Sequence, residues 1–526
     1  MSRYPATAPT TVADGWRLDR LTAPSRLYGA NGLRTGPDGR AYIAQVTGSQ
    51  ISALNVDTGE VETISAKGGD IIAPDDVAFD SRGNLVATEV MDGRVSLRDP
   101  SGRTRVLRDD IPSANGITFH HDRLFVGECR EGGRVLELDL NGGPPRVLLD
   151  NVPQPNAMEV GPDGLLYFPV MGANEIWRVD VDALEPKADV VATGLGVPDS
   201  VKFDADGMIV STQVASGQVL QVDPRTGEQR VMAQLTPGLD NCTFVGGRLF
   251  VSNFTGEITE ILGVGRTRTT LPGALNWPLD LTVGDDGRLY VADGTYLYAI
   301  ADDGSLDTVS MLFSPGYPGF LRGLVPSGAP GEFVVTTSGG QVARYRPSTG
   351  ETDYLADGFD QLYGVALAAG GIAVVEQGTG RVLRIGTEST VLAEGLDTPV
   401  GVTVGPDGGV LASEAGRVVR LTGSGTETVV DGLITPQGLL TTRDALYIVD
   451  AGAQAVLAVD TATGVRTTVA AGLPIGPPPG VNPKPLKGMP PFSGPQGPFA
   501  GIAAGADGTL YVSCDGDGSV VALRRT

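Results

Sequence analysis

The hydrophobic and polar positions of the chain repeat in a unit that is clearest at residues 154–167, QPNAMEVGPDGLLY. An Asn after a Pro is followed by a short alternating run, a Gly/Asp turn and a second apolar run, which predicts two antiparallel strands joined by a tight turn. A third apolar run and a polar run follow each such hairpin. The unit therefore predicts four strands, and helical periodicity is nearly absent.

Aligned on its turn, the unit recurs twelve times along the sequence. Four strands in a repeat of roughly 40 residues are typical of a propeller blade. Twelve blades exceed the usual single ring of about 4 to 8. We therefore predict an all-β protein of two tandem six-bladed β-propellers, with a division into seven and five blades as the alternative.

The predicted domain boundaries follow from the ends of this repeat array. Residues 23–275 hold the first six repeats, and residues 276–526 hold the last six. The twelfth repeat stops after three strands, whereas residues 1–22 contain an additional strand, WRLDRL. An open blade edge would leave a row of unpaired backbone groups. We therefore predict that the N-terminal strand completes the last blade.

The composition agrees with this class and narrows the possible partners. The 526 residues include 75 Gly and 37 Pro, as many tight turns require, and a hydrophobic content of 41% argues against disorder. The net charge of −23 argues against a nucleic acid or an anionic membrane as partner, although solubility alone also explains it. No apolar run has the length of a signal-peptide core or a membrane span, so a cytoplasmic location with reduced cysteines is expected.

One position of the repeat carries the candidate chemistry. It is the first residue of the innermost strand, and a propeller brings six such positions together at one end of its channel. In the first half these residues, here called the oxygen ring, are Asn31, Asp75, Asn115, Asn156, Asp199 and Asp240. Oxygen ligands favour a hard cation such as Ca²⁺. Three carboxylates around a narrow axis also repel one another unless a cation or protons relieve them, so the sequence predicts a metal site.

Turn chemistry is the alternative explanation of the oxygen ring, because Asn and Asp side chains readily bond to neighbouring backbone groups. The second half of the chain provides an internal control. Its equivalent positions are Leu279, Arg322, Tyr363, Val400, Gln437 and Ala500. The same turn is therefore predicted without Asn or Asp, which favours the metal over the turn.

Three residues of the oxygen ring lie in motifs that resemble a known family. ANGI at 114–117, PNAM at 155–158 and PDSV at 198–201 are similar to successive first-strand motifs of the SMP-30/gluconolactonase/LRE family of calcium-dependent six-bladed propellers. The resemblance covers the first half of the chain, and the second half resembles only the general propeller repeat.

The resemblance implies a calcium ion held by Asn156 and Asp199, with Asn115 close by. Asp199 would serve both as a ligand and as a general base in hydrolysis. Asn115, the adjacent amide, is counted with Asp199 among the catalytic candidates.

The sequence departs from the family pattern in the first blade, where Asn31 stands in place of a family Glu. The lost negative charge would be restored by Asp75 and Asp240. The loops between second and third strands open on the same face as the oxygen ring. Their best acid/base candidates are Glu89 and Glu128, although single charges in such loops are more often solvated rim residues.

The second half of the chain offers a different candidate, here called the second pocket. Its polar members are Asp280, Arg322, Tyr363 and Gln437. They are suited to an organic anion without a metal, although Arg322 can equally pair with a neighbouring carboxylate. The proline-rich insertion at 472–499 is predicted on the same face, either as a cover of this pocket or as a surface excursion.

Three functions remain open on the sequence. The first is a calcium-dependent hydrolase that acts on a lactone or an ester-like small molecule at the channel mouth of the first propeller. The second is a lyase, cyclase or isomerase of a small organic metabolite, since one architecture hosts many reactions. The third is a non-catalytic scaffold that binds a protein partner. No oligomeric state follows from the sequence.

Overall fold

The structure is a computed structural model that describes residues 2–4, 9–423 and 425–526. These residues form twelve antiparallel sheets, and the only helical element among them is one 3₁₀ turn, η1 (Met171–Ala173). None of the described residues belongs to a helix with the length and apolar character of a membrane span. The predicted fold class, all-β with twelve four-stranded blades, is confirmed.

The chain divides into two compact units. The first propeller consists of Leu27–Gly273 together with Asn482–Met489, and the other described residues form the second propeller. The division lies within a few residues of the predicted boundaries at 23 and 276. The exception is the middle of the proline-rich insertion, which groups with the first propeller.

The first propeller contains six sheets, each made of four strands that follow one another along the chain. Sheet by sheet, the strands are β3 (Leu33–Thr35), β4 (Ala41–Gln45), β5 (Gln50–Leu54), β6 (Val61–Ser65); β7 (Pro74–Phe79), β8 (Leu85–Glu89), β9 (Arg94–Arg98), β10 (Thr104–Arg108); β11 (Ala114–His120), β12 (Arg123–Glu128), β13 (Gly133–Leu138), β14 (Arg146–Val152); β15 (Glu159–Val160), β16 (Leu166–Val170), β17 (Glu175–Val179), β18 (Ala188–Ala192); β19 (Pro198–Phe203), β20 (Ile209–Gln213), β21 (Gln218–Val222), β22 (Gln229–Gln234); β23 (Leu239–Val245), β24 (Arg248–Asn253), β25 (Ile258–Gly263) and β26 (Arg266–Leu271).

The second propeller repeats this arrangement and adds the N-terminal strands β1 (Thr11–Val12) and β2 (Trp16–Arg20) to its last two sheets. Its other strands are β27 (Pro278–Val283), β28 (Leu289–Asp293), β29 (Tyr296–Ile300), β30 (Leu306–Met311); β31 (Leu321–Pro326), β32 (Phe333–Thr337), β33 (Val342–Arg346), β34 (Glu351–Ala356); β35 (Leu362–Ala368), β36 (Gly371–Glu376), β37 (Arg381–Ile385), β38 (Ser389–Ala393); β39 (Val402–Val404), β40 (Val410–Glu414), β41 (Arg417–Thr422), β42 (Gly425–Val430); β43 (Pro436–Thr441), β44 (Ala445–Asp450), β45 (Ala455–Asp460), β46 (Arg466–Ala471); β47 (Ile502–Ala504), β48 (Leu510–Cys514) and β49 (Ser519–Arg525).

Each propeller closes on itself through its innermost strands. In the first propeller these strands contact one another in chain order, and the last of them, β23, contacts the first, β3. The Thr35 backbone N–H donates to Thr243 Oγ1 at 3.0 Å across this closure. In the second propeller β47 contacts β27 in the same way.

The N-terminal strand completes the last blade, as the sequence predicts. Strand β2 pairs antiparallel with β49, so that Leu18 lies opposite Leu523. The short strand β1 adds a fifth strand to the preceding sheet through β46. The outer edge that β49 would otherwise present is therefore covered.

The hydrophobic core of each propeller lies between neighbouring blades, because alternate residues of each strand point toward the next sheet. Where the first propeller closes, Leu33, Ile43 and Leu54 of blade one pack with Phe250 and Ile258 of blade six. This packing holds the six innermost strands around one axis.

In several blades of both propellers, the residue after the ring position or its equivalent donates its backbone N–H to the next blade. The Gly32 N–H donates to the carbonyl oxygen of Asp75 at 2.7 Å, and the Gly438 N–H donates to that of Ala500 at 3.0 Å. A Cβ atom at Gly32 would overlap the Asp75 carbonyl oxygen, so only glycine permits this approach. The first residues of neighbouring inner strands are thereby brought side by side.

Candidate metal centre

The six residues of the oxygen ring begin the innermost strands of the first propeller, and the structure brings their side chains together at one end of its channel. Five of them are buried, with 8% exposure or less, and Asn31 is partly buried. A few hydrogen bonds join these side chains to one another. These Asn–Asp hydrogen bonds and the mutual repulsion of three carboxylates show that members of the ring lie close together, and that they bind a metal stays a prediction.

A left-handed residue two positions before the ring turns the chain into each inner strand. Ala73, Ser113, Gln154 and Val197 have φ angles of 48°, 53°, 59° and 62°. This conformation is unusual for a residue other than glycine and strained for a β-branched one such as Val197. The same turn occurs in the second propeller, where Gln361 and Thr398 have φ angles of 55° and 44°, so it belongs to the repeat rather than to the oxygen ring.

Two Asn–Asp pairs form within the oxygen ring. Asn156 Nδ2 donates to Asp199 Oδ2 at 3.0 Å, and Asn31 Nδ2 donates to Asp240 Oδ2 at 3.1 Å. The amide oxygens of the two Asn residues turn the other way and accept backbone N–H groups. In each pair the Asn amide donates to the Oδ2 atom of one carboxylate and so orients it. The Oδ1 atom of that carboxylate receives no hydrogen bond from either amide.

Asn115 differs from the other two amides of the ring. Its Oδ1 atom is buried and has no hydrogen-bond donor among the described residues, although the residue is only 4% exposed. A buried acceptor that stays unpaired costs about 1–3 kcal/mol. The Asn115 oxygen is thus suited to a group from outside the protein.

Three carboxylates of the ring share one poorly solvated space. Burial, followed by the nearby Asp76, raises the pKa of Asp75 to about 7. Burial also raises the pKa of Asp199 and of Asp240 well above the usual range, and the mutual repulsion of the ring carboxylates adds to both. The ring therefore favours either protons or a cation.

A charged layer of three residues, Arg34, Glu159 and Lys202, lies three positions further along the inner strands. Glu159 Oε2 is 2.7 Å from Arg34 Nη1 and 3.2 Å from Lys202 Nζ. Burial alone would raise the pKa of Glu159, but Lys202 and Arg34 hold it below its usual value. This layer forms a charged floor beneath the oxygen ring.

The charged layer was not predicted from the sequence. The sequence pattern indicates it, because each member lies three residues after a ring position and therefore faces the same channel. Arg34 and Lys202 also lower the pKa of Asp76, which burial otherwise raises. Among the described residues of this buried region, five carboxyl groups face two cations, so the balance still favours an added positive charge.

Glu89 and Glu128 occupy structural positions rather than the free acid/base positions expected for them. Both are fully buried. Glu89 accepts the Ile72 N–H at 2.6 Å and pairs with Arg94, and Glu128 pairs with Arg134. With their oxygens engaged by arginine and backbone, they do not present a free carboxylate to a substrate.

The second propeller supports this correction. Its Glu376 accepts the Asp360 N–H at 2.8 Å and pairs with Arg381, and Glu414 pairs with Arg417 at 2.6 Å. The same Glu–Arg hairpin thus recurs where no oxygen ring exists. It holds the loop that enters the inner strand, because the glutamate accepts a backbone N–H of that loop.

Two sulfur-bearing side chains border the oxygen ring, and sequence analysis missed their position. Met171 Sδ lies 2.9 Å from Asn156 Nδ2 and 3.9 Å from Cys129 Sγ. Burial, and then Asp199, Asp75 and Asp240, raise the pKa of Cys129 well above its usual value. The thiol is therefore protonated and adds no further negative charge to the ring.

The donor set fits a hard cation in its chemistry. Among the described residues, no group of three or more His, Cys, Asp or Glu side chains is arranged to hold a metal ion. The three carboxylates of the oxygen ring are therefore not arranged as a ready-made metal cluster, although the ring offers the carboxylate and amide oxygens that Ca²⁺ sites commonly use. The unpaired Asn115 oxygen and the three repelling carboxylates are the features that a cation would satisfy.

The residues of the second pocket have separate environments. Asp280 accepts the N–H groups of Leu281 and Leu324 at 3.0 and 2.9 Å, and Gln437 accepts the Ala500 N–H at 2.7 Å. Both are thus engaged by the backbone. Arg322 and Tyr363 do come together, since the guanidinium carbon lies 4.1 Å from the centre of the tyrosine ring.

Comparison with known proteins identifies the region that contains half of the oxygen ring. The model of a family described as "SMP-30/Gluconolactonase/LRE-like region" matches residues 125–253. This range includes Asn156, Asp199 and Asp240. The predicted resemblance is therefore confirmed, and the matched range contains the PNAM and PDSV motifs of Asn156 and Asp199, whereas ANGI at 114–117 precedes it. No curated protein matches the chain.

Solved structures similar to this chain each match about half of it. A virginiamycin B lyase from Staphylococcus aureus is 15% identical, with a TM-score of 0.39, over 56% of this chain and 98% of that chain. A gluconolactonase from Xanthomonas campestris is 19% identical, with a TM-score of 0.39, over 48% and 97%. The calcium-binding protein regucalcin from Agrobacterium tumefaciens is 21% identical, with a TM-score of 0.38, over 46% and 93%.

Proposed function

We propose that this chain, which carries an SMP-30/gluconolactonase/LRE-like region at residues 125–253, is a calcium-dependent hydrolase of a lactone or an ester-like small molecule. The proposed active site is the oxygen ring of the first propeller. The observation that carries the proposal is the buried Asn115 Oδ1, which has no hydrogen-bond donor among the described residues and belongs to the same ring as three buried carboxylates of raised pKa.

The ligands of the proposed ion are Asp75, Asn115, Asp199 and Asp240, each through an oxygen. A bound Ca²⁺ would polarise the substrate carbonyl and orient a water molecule. Asn31 and Asn156 act one step further out, because their amide groups hold the carboxylates of Asp240 and Asp199 in place.

Asp199 is the proposed general base. Its Oδ2 atom is held by Asn156, so Oδ1 is the atom that would accept a proton from water. Without a metal, burial raises the pKa of Asp199; a bound cation would favour the ionised carboxylate, which is the form that a general base requires. The water oxygen then adds to the carbonyl carbon, the acyl C–O bond breaks, and the leaving oxygen takes up a proton.

The charged layer limits where the substrate enters. Arg34, Glu159 and Lys202 form a buried layer beneath the ring, joined by ion pairs of 2.7 and 3.2 Å. A neutral lactone or ester gains nothing from crossing such a layer, because doing so would desolvate the charges. The substrate is therefore proposed to approach from the ring side.

The experiment is a lactone hydrolysis assay on chelator-treated protein with and without added calcium. We expect calcium to restore turnover in the wild type, and Asp199→Asn to lower kcat by about 10²-fold or more through loss of the base. Incorporation of oxygen from labelled water into the acid product separates hydrolysis from elimination or isomerisation.

The matched control is Asp206→Asn, an exposed carboxylate in the first turn of the same blade. It should retain wild-type turnover and calcium dependence. Turnover that is unaffected by chelation, or that survives in Asp199→Asn, would remove the proposal.

A further inference from the structure

Arg322 at the start of β31 is a buried cation without a counterion. It is 1% exposed, the most voluminous of the fully buried side chains. Among the described residues it forms no ion pair, and its Nη2 atom has no hydrogen-bond acceptor. Burying a charge is costly unless it is paired and hydrogen-bonded. Arg322 therefore lacks the negatively charged partner that a buried guanidinium requires.

Aromatic rings provide part of the surroundings of Arg322. The guanidinium carbon is 4.1 Å from the centre of the Tyr363 ring and 5.9 Å from that of Trp277. Phe499 packs edge-on against Tyr363 with ring centres 6.3 Å apart. Such rings attract a cation through their faces, and the Tyr363 side chain is also a hydrogen-bond partner of Arg322, but these groups provide neither a bidentate acceptor nor a carboxylate.

The end of the proline-rich insertion, residues 490–499 and here called the cover segment, closes over this arginine. Gln496 Oε1 accepts a hydrogen bond from Arg322 Nη1 at 3.2 Å. Gln496 Nε2 in turn donates to Ser338 Oγ at 3.0 Å. Gly497 lies so close to Tyr363 that a Cβ atom would overlap the tyrosine hydroxyl. The insertion thus covers the second pocket, which was one of the two positions predicted for it from the sequence.

The position of Gln496 mimics a ligand only in part. The neutral amide oxygen of Gln496 accepts a hydrogen bond from Nη1 only. The Nη2 atom has no acceptor among the described residues, and no negative charge balances the guanidinium. A carboxylate would fill both nitrogens at once, because its two oxygens match the fork of a guanidinium. It would also supply the missing negative charge.

We propose that the second propeller holds a binding site for a small organic carboxylate at Arg322, with Gln496 of the cover segment occupying the site until the anion displaces it. The carboxylate binds Nη1 and Nη2 together, and an apolar or aromatic body lies against Tyr363, Trp277 and Phe499. Asp280 and Gln437 take no part, because the backbone already engages them. The site is independent of the oxygen ring.

The test uses the full chain in the presence of a chelator, with benzoate as the probe and benzamide as its neutral isostere. We expect benzoate to change the tryptophan fluorescence, through Trp277, and to raise the Tm in a saturable manner. Benzamide should do neither at the same concentrations. Because no calcium is present, the result does not depend on the hydrolase proposal.

A variant of the cover segment tests the site without removing Arg322 from the core. Gln496→Glu places a carboxylate beside Arg322 within the chain. We expect it to raise the Tm without ligand and to weaken benzoate binding by about tenfold or more, since the internal carboxylate competes for the fork. The control Gln229→Glu, an exposed position, should behave as the wild type.

Three results would each overturn the proposal. They are benzoate binding no better than benzamide, a lowered Tm in Gln496→Glu, and benzoate affinity unchanged in that variant. The first would show that the aromatic rings suffice for the arginine. A lowered Tm would show that the amide of Gln496 is the better partner of Arg322, and an unchanged affinity would show that benzoate binds elsewhere than at Arg322.

Discussion

At the scale of single residues, the site depends on where each polar atom finds its partner. Asn31 and Asn156 direct their N–H groups toward carboxylates and their oxygens toward backbone, whereas the Asn115 oxygen meets no donor among the described residues. One amide of the three is thus left open. The residue type alone does not distinguish these roles.

Asn115→Leu tests the open oxygen at nearly constant volume. An unpaired buried acceptor costs about 1–3 kcal/mol, so removing it should leave the calcium-free protein about as stable as the wild type. The rise of Tm with calcium should shrink, because one ligand is lost. Thermal melts with chelator and with calcium measure both effects.

The control is Asn141→Ala, in an exposed turn of the same blade. Its calcium-dependent rise of Tm should match the wild type. A rise in Asn115→Leu as large as in the wild type would show that the oxygen of Asn115 is not a ligand.

Asp280 gives the second propeller a pH-dependent stability. Burial raises its pKa to about 7, against the favourable hydrogen bonds of Leu324 and Leu281. The folded protein therefore keeps a proton that the unfolded chain has already lost, so the free energy of unfolding falls as the pH rises toward 7. Relative to Asp280→Asn, the wild type should lose roughly 2–3 kcal/mol between about pH 5 and pH 7.

Urea unfolding of both proteins at several pH values measures this difference. The exposed Asp206→Asn should differ from the wild type by a constant amount over the same range. A constant difference for Asp280→Asn as well would mean that this carboxyl is ionised in the folded state at every pH tested.

Sequence reasoning reached the members of the oxygen ring but not their pairing. Position in the repeat identified Asp199 and Asn156, because the innermost strand has a fixed place in every blade. The direction of an amide depends on neighbours such as Met171 that come from other parts of the chain. Glu89 and Glu128 each end a strand whose hairpin partner carries an arginine. The same Glu–Arg pattern recurs in the second propeller, and this recurrence indicates a structural role.

At the scale of elements, the repeat predicts the blades because each four-stranded unit has its own turn signals and alternation. The ends of the array required a separate argument. Strand β2 pairs with β49 from Trp16 opposite Arg525 to Arg20 opposite Val521. The unpaired edge of the last blade was sufficient reason to expect this pairing.

Arg17→Pro tests the closing strand. The Leu21 N–H donates to the Val520 carbonyl and the Thr526 N–H to the Gly15 carbonyl, so by alternation the Arg17 N–H faces β49. Proline removes that donor and leaves the Arg524 carbonyl without it, which should cost about 1–3 kcal/mol. Denaturant unfolding measures the change.

The control for this test is Arg17→Ala, which keeps the N–H group and should lie within about 0.5 kcal/mol of the wild type. Equal stability of the two variants would mean that β2 does not close the blade.

At the scale of the whole molecule, the two propellers share a repeat but differ in their channels. Three residues after the ring position, the first propeller has the charged layer. The second propeller has Thr282, Val325, Ala366, Thr403, Leu440 and Ala503, all lining a cavity of about 370 Å³. The residues at this one position distinguish a charged layer in the first propeller from an uncharged layer in the second.

The proline-rich insertion was the least predictable part of the molecule. It has no periodicity that fixes a strand or a turn, so its path depends on contacts with distant residues. Lys487 lies 3.2 Å from Asp92, within the first propeller, whereas Gln496 reaches Arg322, within the second. The sequence indicated a cover for the second pocket, but not that residues 482–489 group with the first propeller.

The central claim is that the oxygen ring binds a calcium ion, and direct titration of chelator-treated protein with calcium by calorimetry tests it most directly. We predict one ion per chain for the wild type and for Asp206→Asn, and no binding for the double variant Asp75→Asn, Asp199→Asn. Absence of binding in the wild type, or unchanged binding in the double variant, would contradict the account.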